Sequence, residues 1–319
     1  MTTSDNTKNI DIQSILYDMS NTFLPFFKVH EDGQIERYIL TSKVKAGMDR
    51  VTGIHTKDVV ISTNPDISGR IFLPKLDEGE SPNRKKLPLL IHYHGGGFCT
   101  GSAFGPIIKN FLSNLVSMAY IVAFSIDYRL APEYPLPIAY EDSWAAFQWI
   151  AAQADENESA SDPWFNKYVD FNRVFLCGES SGANLAHDVA IRASVEPLPN
   201  LNLAGLLSIH PYFAAKQPER LIKYLYPTSS GSVDDPRLNP GVDPRLYKLA
   251  CDKVLVCVAE KDKYKERGLA YIKHLEKTWK GKVEVMETLG EGHCFHVLDA
   301  TSPNIDSFMS RIASFLKED

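Results

Sequence analysis

Short apolar runs alternate with helix-like segments along most of this 319-residue chain. The runs include LPLLIHY (87–93), RVFLCGE (173–179) and KVLVCVAE (253–260), and the segment GANLAHDVAIRAS (182–194) directly follows one of them. Strands that are apolar at nearly every position have both faces buried, which is typical of a parallel sheet flanked by crossover helices. The sequence therefore predicts an α/β fold with a mostly parallel central sheet and helices on both faces.

Three stretches depart from this alternation. Residues 58–74 contain two β-rich runs around the turn signal Asn64-Pro65-Asp66, which predicts an antiparallel pair at one edge of the sheet. The N-terminal forty or so residues and the turn-rich stretch 227–244 lie outside the pattern. Long excursions in such folds are usually lids or pocket walls, so we expect these two beside the functional site.

Composition excludes several classes of function. The formal net charge is −6 and the basic residues form no long tract, so no nucleic-acid partner is expected. The apolar runs are too short for a membrane span, and the N-terminus has no secretory pattern. Five cysteines, with no C-x-x-C pair, are typical of free thiols in a reducing compartment. These features predict a cytoplasmic protein.

The segment FLCGESSGANLAH (175–187) places a serine between small residues at a predicted strand-to-helix junction. Gly178 and Gly182 give the spacing G-x-S-x-G around Ser180. Glycines at these positions allow a strand and a helix to approach closely, which is the requirement of a nucleophile elbow. A glycine-flanked turn with only a packing role is the alternative. Ser180 is therefore a candidate nucleophile that needs a base, an acid and an oxyanion hole.

Candidate partners follow Ser180 in the order acid, then histidine, each after a predicted strand. A serine hydroxyl needs a base to accept its proton, and that base needs a third group to fix its tautomer. Asp262 follows the run 253–259, and His293 follows KVEVMET (282–288). The carboxyl ends of parallel strands are where open α/β sheets bind ligands. The alternatives are Glu260 or Glu266 as the acid and His296 as the base.

A glycine loop supplies the candidate oxyanion hole. HYHGGGF (92–98) places three consecutive glycines after a predicted strand. Their backbone N–H groups can point at one position without interference from side chains, although a tight turn alone is the simpler interpretation. We predict oxyanion donors among these glycines and at the N–H of Ser181, which directly follows the candidate nucleophile. The scattered histidines indicate no metal site.

Taken together, four motifs make the chain resemble a known family: HGGGF (94–98), DYRLAPEYPLPIAYED (127–142), GESSGAN (178–184) and EGHCF (291–295). This combination is similar to the plant carboxylesterases of the hormone-sensitive-lipase-like α/β-hydrolases, from about Leu24 to the C-terminus. The resemblance implies an α/β-hydrolase fold and one catalytic domain over residues 1–319. It also implies a small helical cap formed by about residues 1–45 and an insertion at about 214–249, shorter than is usual.

The resemblance implies that Ser180, His293 and Asp262 hydrolyse a small-molecule carboxylic ester without a cofactor. It also implies that Gly95 and Gly96 are the oxyanion glycines. Small to medium, moderately apolar esters are expected, with Phe27, Phe98, Tyr212 and Phe213 as candidate pocket residues. Similar plant proteins are dehydratases or cyclases, and the known dehydratases tend to carry threonine at the nucleophile position. Gibberellin receptors are also similar but lack the catalytic histidine, which makes a hormone receptor a third hypothesis. The chain is expected to act as a monomer or homodimer.

Overall fold

The computed structural model describes residues 21–76, 85–154, 162–217, 219–231 and 233–318. In these ranges the strands are, in chain order, β1 Thr22–Phe23, β2 Phe27–Val29, β3 Ile35–Arg37, β4 His55–Thr63, β5 Asp66–Leu73, β6 Leu87–Tyr93, β7 Val122–Asp127, β8 Val169–Glu179, β9 Leu203–Ile209, β10 Lys253–Ala259 and β11 Lys282–Thr288. The helices are α1 Pro106–Ala119, α2 Ile138–Ala152, α3 Pro163–Tyr168, α4 Ser181–Ala193, α5 Arg220–Leu225, α6 Lys265–Thr278, α7 Phe295–Leu298 and α8 Ile305–Lys317. None of these helices has both the length and the apolar sequence needed to cross a membrane.

Eight strands form the central sheet in the order β11-β10-β9-β8-β6-β7-β5-β4. The strands β6 to β11 pair in parallel, whereas β5 pairs antiparallel with both β7 and β4. The register aligns the strand ends, because Tyr93 pairs with Gly178 and Ile209 pairs with Cys257. The loops that follow β6, β8, β9 and β10 therefore emerge side by side at one edge of the sheet.

The α/β class, the parallel sheet and the antiparallel edge pair are confirmed. The central strands carry hydrophobic residues at nearly every position because each buries both faces. Along β10, Val254, Val256 and Val258 pack into one core cluster, while Leu255 and Cys257 pack into the cluster on the opposite face. A single run of apolar residues thus packs against the helices on both faces of the sheet.

Helix α1 has no counterpart in the sequence prediction, although its signals are present. Pro106 lies in the first turn, and Ile108, Phe111, Leu112 and Leu115 are buried at helical spacing. This helix packs with α8 on the face opposite to α4. Its N-terminus follows the glycine loop closely, so it contributes to the candidate site.

The N-terminal strands and the insertion before β10 pack against each other. Strands β1, β2 and β3 form a separate antiparallel sheet. The ring of Phe23 lies 4.6 Å from the ring of Tyr224, and the Arg220 guanidinium lies 4.4 Å above it. Arg220 also donates to the carbonyl of Thr22 at 3.2 Å. The cap that was predicted from these two segments stays a prediction, and its part before residue 21 lies outside the described residues.

Candidate active site

Ser180 occupies a sharp turn between β8 and α4. Its φ of 55° and ψ of −120° are unusual for a residue with a side chain, and such a conformation costs about 1–3 kcal/mol. A Cβ on Gly182 would lie 2.0 Å from the Tyr93 carbonyl oxygen, and one on Gly178 would lie 2.2 Å from the Gly182 backbone. Neither position accepts a side chain, so the two glycines allow the turn that raises Ser180 at the strand end.

The structure brings the three predicted side chains into one hydrogen-bonded row. His293 Nδ1 lies 2.7 Å from Asp262 Oδ2, and His293 Nε2 lies 2.9 Å from Ser180 Oγ. A carboxylate only accepts hydrogen bonds, so Nδ1 carries the proton and Nε2 faces the serine hydroxyl as an acceptor. This is the geometry in which an imidazole can remove the serine proton.

The alternative acid and base residues lie elsewhere. Glu260 Oε2 accepts from the backbone N–H of Gly290 at 2.7 Å, and Glu266 is exposed in the first turn of α6. His296 is buried against the rings of Phe111 and Phe308. Burial and the neighbouring histidines hold the pKa of His296 well below its ordinary value. None of the three contacts Ser180 or its imidazole partner.

The carboxylate of Asp262 is held by two donors. Its Oδ1 accepts from the backbone N–H of Tyr264 at 2.8 Å, while Oδ2 faces His293. Burial raises the pKa of Asp262, but the hydrogen bond from His293 and the other donors outweigh it and keep the pKa below its ordinary value. The group is therefore ionised at neutral pH and can stabilise a positively charged imidazole.

The predicted oxyanion donor at Gly95 is wrong. Its N–H donates to Glu179 Oε1 at 2.6 Å and has no capacity left for a substrate oxygen. Glu179 is buried, and its other oxygen lies 2.8 Å from His92 Nε2. A buried carboxylate needs such donors, so this contact fastens the glycine loop to the serine turn. Nothing in the sequence distinguishes Gly95 from the glycines after it.

Other backbone N–H groups remain open at this site. Among the described residues, the N–H groups of Gly96 and Gly97 donate to no acceptor, and both glycines line the cavity at Ser180. Their φ values of 118° and 62° favour glycine. The N–H of Ser181, in the first turn of α4, is also without a partner in the described chain. These three groups are available to a substrate oxygen.

A cavity of about 470 Å³ opens above Ser180 and His293. Its wall is mostly apolar. It comes from the N-terminal segment, the first turn of α1, the loop after β6, the turn after β8, and the loops after β9 to β11. The main lining residues that the sequence did not predict are Phe26, Leu40, Ile107, Leu221, Lys263, Tyr264, Val297 and Leu298. A volume of this size is suited to a small-molecule ligand.

Of the four predicted pocket residues, only Tyr212 lines this cavity. Phe27 is fully buried and stacks on Phe23, Phe98 is fully buried between Tyr140 and Tyr212, and Phe213 packs on His187. These three predictions are wrong because the rings belong to the core. Phe26 faces the cavity instead, with a ring atom 3.2 Å from where a Cβ of Gly97 would stand.

A second cavity, of about 630 Å³, contains none of the predicted catalytic residues. It is lined by charged side chains that pair with one another, since Glu141 contacts both Arg192 and Arg237. The smaller cavity contains Ser180 and His293, so it is the better candidate for chemistry. Within the ranges described, no group of three or more metal-binding side chains could hold an ion.

Comparisons with known proteins identify the family of this chain. A family model for the alpha/beta hydrolase fold matches residues 90–297. A 2-hydroxyisoflavanone dehydratase of Glycyrrhiza echinata is 41% identical over 313 residues, covering 92% of this chain and 94% of the relative. Probable carboxylesterase 1 of Arabidopsis thaliana is 41% identical over 312 residues, covering 93% and 97% respectively.

Solved structures share the fold at lower identity. The hyperthermophilic esterase from the archaeon Pyrobaculum calidifontis matches with a TM-score of 0.68 and 23% identity, covering 85% of this chain and 86% of that one. A thermostable esterase from Pseudomonas putida matches with a TM-score of 0.69 and 24% identity, covering 85% of each chain. The chain therefore belongs to the α/β-hydrolase family, in the group that includes these plant carboxylesterase and dehydratase relatives.

Proposed function

We propose that this protein is a carboxylic ester hydrolase that works through an acyl-enzyme on Ser180. The observation that carries the proposal is the distance of 2.9 Å between His293 Nε2 and Ser180 Oγ, with Asp262 bonded to the other ring nitrogen. This row of side chains is what acyl transfer by a serine requires. Relatives named probable carboxylesterases support the same reaction.

In the proposed first step, Ser180 Oγ attacks the ester carbonyl carbon while His293 Nε2 accepts the hydroxyl proton. The carbonyl oxygen becomes an oxyanion, and the open N–H groups of Gly96, Gly97 and Ser181 are proposed to receive it. Each such donor contributes about 3 kcal/mol to the transition state. Asp262 stabilises the imidazolium, which then donates its proton to the leaving alcohol.

In the second step, water attacks the acyl-serine carbonyl and His293 acts as the base again. The carboxylic acid leaves and Ser180 regains its proton. Every step uses side chains and backbone groups of this chain. The proposed substrates are small to medium, moderately apolar esters, because the cavity of about 470 Å³ has a mostly apolar wall. The proposal includes a monomer or homodimer in the cytoplasm, and five free, buried cysteines fit a reducing compartment.

Elimination of water is a second candidate reaction, because two relatives are named 2-hydroxyisoflavanone dehydratase. The same base could remove a proton while the oxyanion donors hold a carbonyl oxygen. The hormone-receptor hypothesis has less support, since His293 is present and hydrogen-bonded to Ser180. Hydrolysis makes the fullest use of Ser180 as a nucleophile, so we rank it first.

The purified protein is expected to hydrolyse short-chain p-nitrophenyl esters, with activity falling from butyrate to laurate as the chain exceeds the cavity. Release of p-nitrophenol is followed by absorbance. A parallel incubation with 2-hydroxyisoflavanone is analysed by mass spectrometry for loss of water. Loss of water from that compound without turnover of any ester would contradict the proposal and favour the dehydratase.

A further inference from the structure

The end of β9 and the residues that follow it form hydrogen bonds with the backbone of the candidate nucleophile. We call residues 209–212 the central brace, because β9 lies between β8 and β10 in the sheet. The carbonyl of Ile209 accepts from the Ser180 N–H at 3.0 Å, and the N–H of Tyr212 donates to the Ser180 carbonyl at 3.0 Å. Both backbone groups of Ser180 are therefore held by this one segment.

His210 extends the central brace to the loop of the candidate base. Its Nδ1 accepts from the backbone N–H of Cys294 at 2.9 Å, and its own N–H donates to the Cys257 carbonyl at 2.8 Å. The side chain is almost completely buried, and its ring lies 6.1 Å from the ring of His293. The residue thus connects the end of β10, the nucleophile segment and the base loop.

The backbone at both ends of this contact is strained. Cys294 has a φ of 54° and His210 has a φ of 44°, both in the left-handed region that residues with a Cβ rarely adopt. Each such residue costs about 1–3 kcal/mol and persists only where its surroundings hold it. Because Cys294 directly follows His293, this strained turn sets the direction of the catalytic imidazole.

The contact requires a neutral His210. Nδ1 can accept from an N–H group only when it carries no proton. Burial, followed by the nearby His293, lowers the pKa of His210 to about 3, with Asp262 acting in the opposite direction. The other neighbours of the ring are His296, Phe295 and Phe308. The acceptor is therefore available throughout the neutral range.

We propose that His210 is a positioning residue for His293: its Nδ1 holds the strained Cys294 turn and so keeps the imidazole between Ser180 and Asp262. The proposal rests on the esterase function above. Wild-type turnover of a p-nitrophenyl ester tests that function separately.

The test compares three substitutions of similar size at position 210. In His210→Asn, the side-chain oxygen can take the place of Nδ1, whereas His210→Gln carries its oxygen too far along the chain and His210→Leu has no acceptor. We expect kcat to fall about 100-fold in the Leu and Gln variants with little change in KM, because a misplacement of about 1 Å has that effect. The Asn variant is expected to retain most of the activity.

A proton NMR signature separates positioning from general stability. The far-downfield proton shared by His293 Nδ1 and Asp262 is expected to be visible in the wild type and in His210→Asn, and to broaden or vanish in His210→Gln. Wild-type kcat in the Leu variant would overturn the proposal. An equal fall of kcat in the Asn and Gln variants would also overturn it. If the Leu variant does not fold, the comparison of the Asn and Gln variants still tests the proposal.

A single lysine lies at the mouth of the cavity. Among the described residues that line it, Lys263 is the only lysine or arginine. The lining carboxylate, Glu179, is already committed to Gly95 and His92. No other lysine, arginine, aspartate or glutamate is among the described lining residues. A positive charge thus lies at the edge of a mostly apolar cavity without a lining carboxylate to balance it.

Lys263 forms no ion pair in the described part of the chain, whereas the cations after it are paired. The charge of Lys263 also acts on Glu219, but that carboxylate is already bonded to Arg267. Lys265 contacts Glu287 at 2.7 Å, and Arg267 contacts Glu219 at 2.9 Å. The Lys263 ammonium lies 4.7 Å from the centre of the Tyr264 ring, and that ring lies 4.9 Å from the ring of His293. A substrate group bound to Lys263 would therefore be separated from His293 only by the ring of Tyr264.

We infer that Lys263 forms a subsite for a carboxylate carried by the substrate, so that anionic esters are preferred over their neutral analogues. This inference names a substrate class for the proposed function and depends on that function. Lys263 is exposed, and a single exposed ion pair is worth up to about a fivefold change in affinity.

Binding measurements test the subsite without requiring turnover. In the Ser180→Ala background, calorimetry compares 4-acetoxybenzoate with its neutral methyl ester. Lys263→Met is expected to weaken binding of the anion about fivefold and to leave the affinity for the methyl ester unchanged. Lys263→Glu is expected to weaken binding of the anion further. Lys261→Met is the matched control, since Lys261 is exposed on the same loop but does not line the cavity.

The subsite would be overturned if Lys263→Met lowered the affinity for both ligands equally. It would also be overturned if Lys261→Met weakened binding of the anion as much as Lys263→Met does. Hydrolysis of the neutral methyl ester by the protein with Ser180 intact reports on the proposed function alone. A protein that binds the anion through Lys263 but hydrolyses neither ester would keep the subsite and reject the esterase.

Discussion

Replacing Ser180 with alanine is expected to reduce ester hydrolysis on the order of 10⁶-fold, because it removes the hydroxyl that is hydrogen-bonded to His293. The fold should be unaffected. Alanine has the same Cβ as serine, so the positive φ at this position is no more strained than before. Initial rates with p-nitrophenyl butyrate give the activity, and thermal unfolding gives the stability.

Ser194→Ala is the matched control for this substitution. Ser194 lies at the opposite end of the same helix, where its hydroxyl donates only to the Ile191 carbonyl at 2.6 Å. This variant is expected to keep wild-type activity. Turnover that persists in Ser180→Ala would show that Ser180 is not the nucleophile, and the acyl-enzyme mechanism would then be abandoned.

Replacing Asp262 with asparagine is expected to lower kcat about 10⁴-fold through the wrong imidazole tautomer. Asp262 Oδ1 accepts from the Tyr264 N–H, so the amide oxygen of an asparagine must stay on that side. The amide NH₂ group then faces His293 Nδ1 and donates to it. This arrangement puts the ring proton on Nε2, where it blocks acceptance of the serine proton.

Glu266→Gln and Glu260→Gln are the controls for Asp262→Asn. Both carboxylates lie near Asp262 in the sequence, but neither contacts His293. Activity close to the wild-type value is expected in both. If either control loses as much activity as Asp262→Asn, or if Asp262→Asn is fully active, the assignment of the acid is wrong.

The same substitution predicts a change in the pH dependence of stability. Because the pKa of Asp262 lies below its ordinary value in the folded protein, its carboxylate contributes stability that is present at neutral pH. That contribution is lost as the pH falls through the lowered pKa. The difference in Tm between the wild type and Asp262→Asn should therefore narrow as the solution is acidified.

Sequence patterns were sufficient for the sheet and for the three side chains of the candidate triad. Strands that bury both faces have an apolar residue at nearly every position, and this signal is local. Strand order brings the candidate acids and histidines to one edge, because carboxyl ends of parallel strands share it. The geometry then favours Asp262 and His293 over the alternatives. Ser180 is marked by glycines whose missing Cβ atoms permit the turn.

Predictions failed where the role of a residue depends on contacts with residues far away in the sequence. Gly95, Gly96 and Gly97 are chemically identical, and only the buried carboxylate of Glu179 decides that Gly95 is occupied. Phe26 and Phe27 are neighbours of the same type, yet one lines the cavity and the other is fully buried. The direction of each depends on how β2 packs, which composition does not encode.

By itself, the sequence determined the α/β class, the mostly parallel sheet and the order of the candidate nucleophile, acid and base. These depend on the period of apolar residues and on glycines at a single turn, which are properties of short segments. Only the tertiary structure decided which N–H groups stay open, which rings face the cavity, and that His210 reaches the loop of His293. Those outcomes depend on hydrogen bonds and packing between strands far apart in the chain, so no single segment carries them.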